Sequence, residues 1–104
     1  MDMNKMMQQV QQMQAEMAKA QEELANERVE ASVGGGMVTV TASGGGDLVA
    51  IKISPEAIDP EDPETLEDLV LAGVNEALRN AQELAQSKLG GAVGGLKGLG
   101  LPGM

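Results

Sequence analysis

The chain contains no cysteine, no histidine and no aromatic residue. Without cysteine it can form neither a disulfide nor a thiolate-ligated metal site, which suits a reducing cytoplasm. Without histidine it lacks the side chain that most often moves protons or binds zinc near neutral pH. Without aromatic rings it cannot stack on nucleic-acid bases. We therefore expect no enzyme, no cofactor and no metal site, and a core of Val, Ile, Leu, Ala and Met.

Long hydrophobic runs are also missing. No stretch approaches the roughly 20 apolar residues that cross a bilayer, and the first residues lack the basic and apolar regions of a secretory signal. We expect a soluble protein of the cytoplasm that binds neither a membrane nor a small-molecule substrate. The 104 residues are enough for one domain. We place it at residues 1–89, followed by a flexible tail rich in glycine and leucine at residues 90–104.

The first 27 residues contain no glycine or proline, and their apolar residues recur in alternating steps of three and four. This heptad pattern predicts a helix that packs lengthwise on another helix. Such a helix is longer than a compact domain of this size and should overhang it. We therefore expect a homodimer, with an interface that includes four residues of this seam: Met6, Val10, Met13 and Met17.

Three β-branched segments follow, at residues 28–33, 37–42 and 48–53, with glycine-rich loops between them. Their polar–apolar alternation predicts an antiparallel three-stranded meander. One face is apolar and should be covered by a helix. The other face is mixed, since Thr39, Thr41 and Lys52 share it with Met37 and Leu48. The sequence leaves open whether that face is solvated or lies in a dimer interface.

A second helix is predicted to begin with Asp62 as N-cap and Pro63 as its first residue. It carries a broad apolar stripe, on which Gly73 should mark a close approach to another backbone. Gly90 and Gly91 should end it. The predicted fold is α+β in two layers, a helix, a three-stranded antiparallel sheet and a helix (α-β-β-β-α), forming a tight homodimer with projecting helices.

The net charge of −9 argues against nucleic acid, because phosphate binding needs exposed Lys and Arg. The acids are unevenly distributed, however. Seven of the 16 lie between Glu56 and Asp68, with no base among them, which leaves nine acids and seven bases elsewhere. We interpret the acidic run as helix capping and solubility rather than a cation site, because it lacks the regular ligand spacing of a calcium loop.

Several segments together resemble the YbaB/EbfC family of bacterial nucleoid-associated proteins. They are the stretch Gly34–Thr41, the strand Asp47–Ile53, the helix entry Asp62–Val70 with Val74–Ala77 after it, the Gln/Met-rich first helix, and the tail that ends at Met104. The resemblance covers essentially the whole chain in order. It implies a small homodimer whose helices project from a central sheet and bind duplex DNA in the nucleoid.

Carried onto this chain, the resemblance offers five basic residues on or beside the helical arms as DNA contacts: Lys5, Lys19, Arg28, Arg79 and Lys88. The implied function is to organise or protect the nucleoid and to influence transcription, with little sequence specificity. A second hypothesis is a protein-interaction module that uses the Met-rich helix or the acidic loop, with DNA binding incidental.

Overall fold

The computed structural model describes residues 2–92, and the order of elements confirms the predicted α-β-β-β-α fold. Helix α1 spans Met3–Asn26 and helix α2 spans Pro63–Ala92. Between them lie strands β1 (Arg28–Val33), β2 (Val38–Ser43) and β3 (Leu48–Ile53), and a short 3₁₀ turn at Pro55–Ala57. Most of the predicted tail, from residue 93 onward, lies outside the described residues. Within them, neither helix is both long and apolar enough to span a membrane.

The three strands form one antiparallel sheet in the order β1-β2-β3. Both connections are glycine turns, as the sequence predicted. Gly34, Gly35 and Gly36 all have positive φ, and so has Gly46 in the second turn. Glycine adopts this backbone region without steric cost, so these residues fix the two hairpins.

Helix α2 covers the apolar face of the sheet and forms the core with it. The residues that the core buries almost completely are small or β-branched: Ala31, Val38, Val40, Ala42, Ala77 and Ala81. Gly73 lets α2 lie close to the sheet, since a Cβ there would stand 2.9 Å from Cγ2 of Val40. The sequence predicted that Gly73 marks a close approach to another backbone. That prediction is wrong, because its nearest neighbours are valine side chains of the sheet.

Helix α2 does not cover all of that face. It lies over β1 and β2, while on β3 Leu48 and Ile51 remain 46% and 44% exposed. The assignment of Leu48 to the mixed face was also wrong. Val40 is opposite Ile51, but a register shift between Thr41 and Ala42 places Leu48 opposite Ala42. Paired residues of an antiparallel sheet point to the same side, so Leu48 belongs to the apolar face.

Both ends of the α2 prediction can be compared with the structure. The start is confirmed. The helix begins at Pro63, and Asp62 accepts hydrogen bonds from the Thr65 amide (3.4 Å) and the Thr65 hydroxyl (2.6 Å). The predicted stop at Gly90–Gly91 is wrong, because both glycines are helical and neither has positive φ. A glycine that ends a helix commonly takes the left-handed conformation, and a glycine that stays helical only weakens the helix.

Candidate nucleic-acid interface

Helix α1 is an arm that projects from the sheet, as its heptad length predicted. Its 24 residues extend about 36 Å. Only Ala20 and Leu24, near its C-terminal end, are buried against the rest of the chain. Toward the N-terminus the seam is open to solvent, and the exposed fraction reaches 75% at Met3. Met6, Val10 and Met13 are also exposed, and Met17 is half-buried.

Two of the predicted DNA contacts lie on this arm. Lys5 and Lys19 are exposed and stand two heptads apart, with Gln12 midway between them. Residues seven apart lie on nearly the same line of a helix, so the three side chains form one polar row. The two lysines are separated by about 21 Å along the axis. Glu16 and Glu23 lie close to this row, which limits its positive charge.

The acidic run lies at the opposite end of the sheet from the arm. Helix α1 leads into β1 at Arg28, whereas the run follows the end of β3, where Ile53 pairs with Val38. That is the end of the β1–β2 turn, where Gly34 lies against Leu69 of α2. The fold therefore separates the seven acids of residues 56–68 from Lys5 and Lys19 by the length of the sheet and much of the arm.

The base of the arm holds two more of the predicted residues. Arg28 donates from Nη1 to the backbone carbonyls of Ala25 (2.9 Å) and Glu27 (3.0 Å). Lys88 reaches across from α2 and pairs with Glu27 at 2.7 Å and with Glu23 at 3.1 Å. Its side chain is only 25% exposed. A phosphate would have to compete with two carboxylates for this ammonium group, which the sequence alone did not indicate.

Arg79 stands apart from the others. It lies on the outer side of α2, 60% exposed, with Nη1 2.6 Å from Glu76 Oε2. Exposed ion pairs of this spacing are weak and salt-dependent, so the guanidinium can turn to another anion at little cost. The five predicted residues thus form no single pocket. Two lie along the arm, two at its base and one on the outside of α2.

A sixth base, Lys52, was not among the predicted contacts. It lies on the sheet face that α2 does not cover, opposite Thr39, which is in turn opposite Ser32. Thr41 and Glu30 occupy the same face. The sequence signal was present, since Thr39, Thr41 and Lys52 share one phase of the strand alternation. What it lacked was any sign of how these residues align across strands.

The comparisons with known proteins agree with this architecture. A family model described as the YbaB/EbfC DNA-binding family matches residues 1–96. The chain belongs to this family. A nucleoid-associated protein of Pelotomaculum thermopropionicum is 50% identical over 103 residues, which cover 99% of this chain and 95% of the relative. A nucleoid-associated protein of Streptomyces avermitilis is 52% identical and is covered to 91%.

A solved structure shares the family fold. The crystal structure of an uncharacterised protein from Helicobacter pylori aligns with a TM-score of 0.74 at 24% identity, over 84% of this chain and 91% of the other. At this identity the match supports the architecture and not the site residues. The description of the YbaB/EbfC family names DNA binding and no reaction.

One prediction concerns Lys88 and pH. Hydrogen bonds to Glu27 and then Glu23 raise the pKa of Lys88 above its ordinary value of 10.5. A lysine whose pKa is higher in the folded state than in the unfolded state stabilises the folded state fully below its unfolded pKa. This stabilisation is lost as the pH rises through the folded pKa. We expect Lys88→Met to destabilise the protein at neutral pH, and the difference from the parent to shrink as the pH rises above the ordinary lysine value of 10.5.

Urea denaturation of both proteins, followed by circular dichroism across this range, measures the difference. Methionine keeps the apolar stem of the lysine, so charge is the main change. A constant difference from neutral to alkaline pH would show that the ion pairs with Glu23 and Glu27 do not contribute to stability.

Proposed function

We propose that the protein binds duplex DNA in the bacterial nucleoid of the cytoplasm as a homodimer, mainly through phosphates. Its role would be to organise or protect DNA and to influence transcription. The observation that carries the proposal is the projecting arm with Lys5, Gln12 and Lys19 on one line. It is supported by membership of a DNA-binding family and by the names of the relatives.

Phosphates are the appropriate target for these residues. No aromatic side chain exists to stack on bases, and the arm offers amides and ammonium groups rather than a set of base-reading side chains. Phosphate contacts position a protein on DNA but carry no sequence information. We propose Lys5, Lys19, Arg28 and Arg79 as contacts. For Lys88 a DNA contact stays a prediction, since its ammonium already serves two carboxylates.

The homodimer is proposed because two apolar surfaces of the single chain are exposed. One is the α1 seam, with Met6, Val10, Met13 and Met17, which the sequence already suggested. The other, here called the β3 patch, consists of Leu48 and Ile51. An edge strand with exposed apolar side chains is ordinarily paired or covered in a native assembly. If the α1 seam forms the interface, substitutions in the seam should separate the subunits. If the β3 patch forms it, substitutions at Leu48 and Ile51 should do so.

A salt titration of the dimer against random-sequence duplex DNA tests the proposal. Neutralising about four to eight phosphates gives a log–log slope of about −4 to −7. Doubling the salt from about 100 to about 200 mM should therefore weaken binding by about 16- to 128-fold. Fluorescence anisotropy of labelled DNA measures it, because the protein has no tryptophan or tyrosine. Binding that is insensitive to salt, or absent at low salt, would contradict the proposal.

One observation favours the second candidate function, a protein-interaction module. The tip of the arm presents a shallow groove of about 370 Å³ lined by Met3, Met6, Met7, Val10 and Gln11. Methionine is adaptable and common on surfaces that bind several partners. Charge reversal of Lys5 and Lys19 separates the two functions. Loss of DNA binding with an intact dimer supports DNA, and unchanged binding supports the alternative.

A further inference from the structure

The arm is anchored at its base. The residues of α1 that are buried against the rest of the chain, Ala20 and Leu24, lie in its last two turns. We propose that Lys88, Glu23 and Glu27 form an ionic clasp that fixes the angle of α1 relative to α2, so that Lys88 acts as a positioning residue. The inference rests on the proposed function, because the arm is the proposed DNA-binding element.

The geometry of the clasp supports this role. Lys88 lies near the end of α2 and pairs with Glu23 of α1 at 3.1 Å and with Glu27, one turn later, at 2.7 Å. Glu27 is the C-cap residue of α1, and its carbonyl accepts the Gly44 amide at 3.1 Å. One acidic residue therefore connects the arm to α2 through its side chain and to the β2–β3 turn through its backbone.

The environment of Glu27 makes Lys88 hard to replace. One carboxylate oxygen, Oε1, accepts from Lys88, and the other, Oε2, is buried with no hydrogen-bond partner in the described part of the chain. A partly buried carboxylate needs a compensating cation. The raised pKa of Lys88 is consistent with this arrangement.

Small changes at this point are amplified along the arm. Lys5 lies about 33 Å from the base, so a 10° rotation there would move it by about 6 Å. That shift is comparable with the spacing of phosphates along a DNA strand, and it would take Lys5 out of register. The base of the arm lies close to the β2–β3 turn at Gly44, because a Cβ there would stand 2.6 Å from the Leu24 carbonyl oxygen. This contact limits movement of the arm toward the turn.

The decisive experiment compares two isoelectric double variants. Glu23→Gln with Glu27→Gln removes the acids of the clasp. Glu16→Gln with Glu22→Gln removes two acids of the same helix that form no ion pair within residues 2–92. If Lys88 is instead a phosphate ligand held back by its carboxylates, the first variant should bind DNA more tightly. The clasp predicts that it binds about threefold to tenfold more weakly, while the control binds as well as the parent or better.

A distance measurement without DNA makes the test independent of the proposed function. The chain has no cysteine, so Gln9→Cys and Asn75→Cys place two spin labels on exposed sites of α1 and α2. Labelled chains are diluted in excess unlabelled protein so that only distances within one chain are recorded. Loss of the clasp should broaden the distance distribution, whereas Lys88→Arg should preserve both the distribution and the DNA affinity.

The outcomes separate the two proposals. An unchanged distribution in the Glu23→Gln, Glu27→Gln variant overturns the clasp, and so does tighter DNA binding by that variant than by its control. A broadened distribution in a protein whose parent binds no DNA would support the clasp and contradict the proposed function. Circular dichroism of each variant shows whether the helices are intact. If the clasp variant is unfolded, the Lys88→Arg protein still tests the inference, because failure to keep the parent distribution would contradict it.

Discussion

Replacing Leu48 and Ile51 together with lysine is expected to convert the proposed homodimer to a monomer. In the single chain both side chains are about half exposed, on an edge strand whose outer side no strand of the described chain pairs. Two copies could pair their β3 strands around a twofold axis and cover these residues. Lysines at both positions would bring four positive charges together at that axis and remove the apolar contact.

The expected consequence for DNA binding is large. A dimer that engages DNA with two sets of arms gains affinity by holding the second set at high effective concentration, and losing this costs about 100-fold or more. The salt slope should also fall to about half its dimer value. This loss would occur although the variant gains two cations per chain, so a general electrostatic effect would act in the opposite direction.

Sedimentation with interference optics measures the oligomeric state at several concentrations, since the chain lacks strong absorbance at 280 nm. Ser32→Lys with Ala50→Lys is the matched control, because both are exposed and lie on the face that α2 leaves open. A second comparison is Met6→Lys with Val10→Lys. If that pair dissociates the dimer and the β3 pair does not, the α1 seam holds the subunits together.

Much of the fold could be predicted from short-range signals. The heptad steps in α1, the cap formed by Asp62 and Pro63, and the glycine turns each depend on residues within one or two turns of chain. These signals act locally in the folded protein too. Asp62 contacts Thr65 three residues away, and Gly34 reverses the chain where it stands. The helix, its cap and the turns that these signals predicted are confirmed, while the lengthwise partner that the heptad steps predicted for α1 stays a prediction.

The features that sequence patterns missed depend on alignment between elements. Alternation along β3 assigned Leu48 to the mixed face, and only the register with β2 shows that the strand shifts between its first and third residues. One extra residue at such a point reverses the side on which neighbouring side chains lie. The exposed β3 patch follows from this shift and from the position of α2 over β1 and β2.

In the candidate site, too, the sequence predicted local features and missed contacts between distant residues. Residue type and charge identified Lys88 as a base on a helix, and the structure confirms that placement. Its partner Glu27 is 61 residues away in the sequence, so no local pattern could reveal that the charge of Lys88 is already compensated by a carboxylate. Lys5 and Lys19 were easier to interpret, because their relation is a spacing within one helix.

Gly73→Leu is expected to destabilise the sheet–helix body strongly. Gly73 is buried, and even a Cβ would stand 2.9 Å from Cγ2 of Val40, with Val33 and Val38 methyls at 3.5 and 3.6 Å. Val38 and Val40 are fully buried and cannot move outward. Leucine is a better helix former than glycine by about 1 kcal/mol, and this gain is smaller than the cost of overpacking, about 3 kcal/mol or more for a whole leucine side chain. We expect a net loss of about 2 kcal/mol or more.

Thermal or urea unfolding measured by circular dichroism gives the change, and Gly90→Ala in the same helix provides the control. A Cβ at Gly90 meets no heavy atom of the described residues within 4 Å, so alanine there should stabilise the protein by about 0.5–1 kcal/mol. Opposite signs at two glycines of one helix would show that packing against Val40, and not helix propensity, decides the residue at position 73. If Gly73→Leu is as stable as the parent, α2 does not lie as close to β2 as the structure places it.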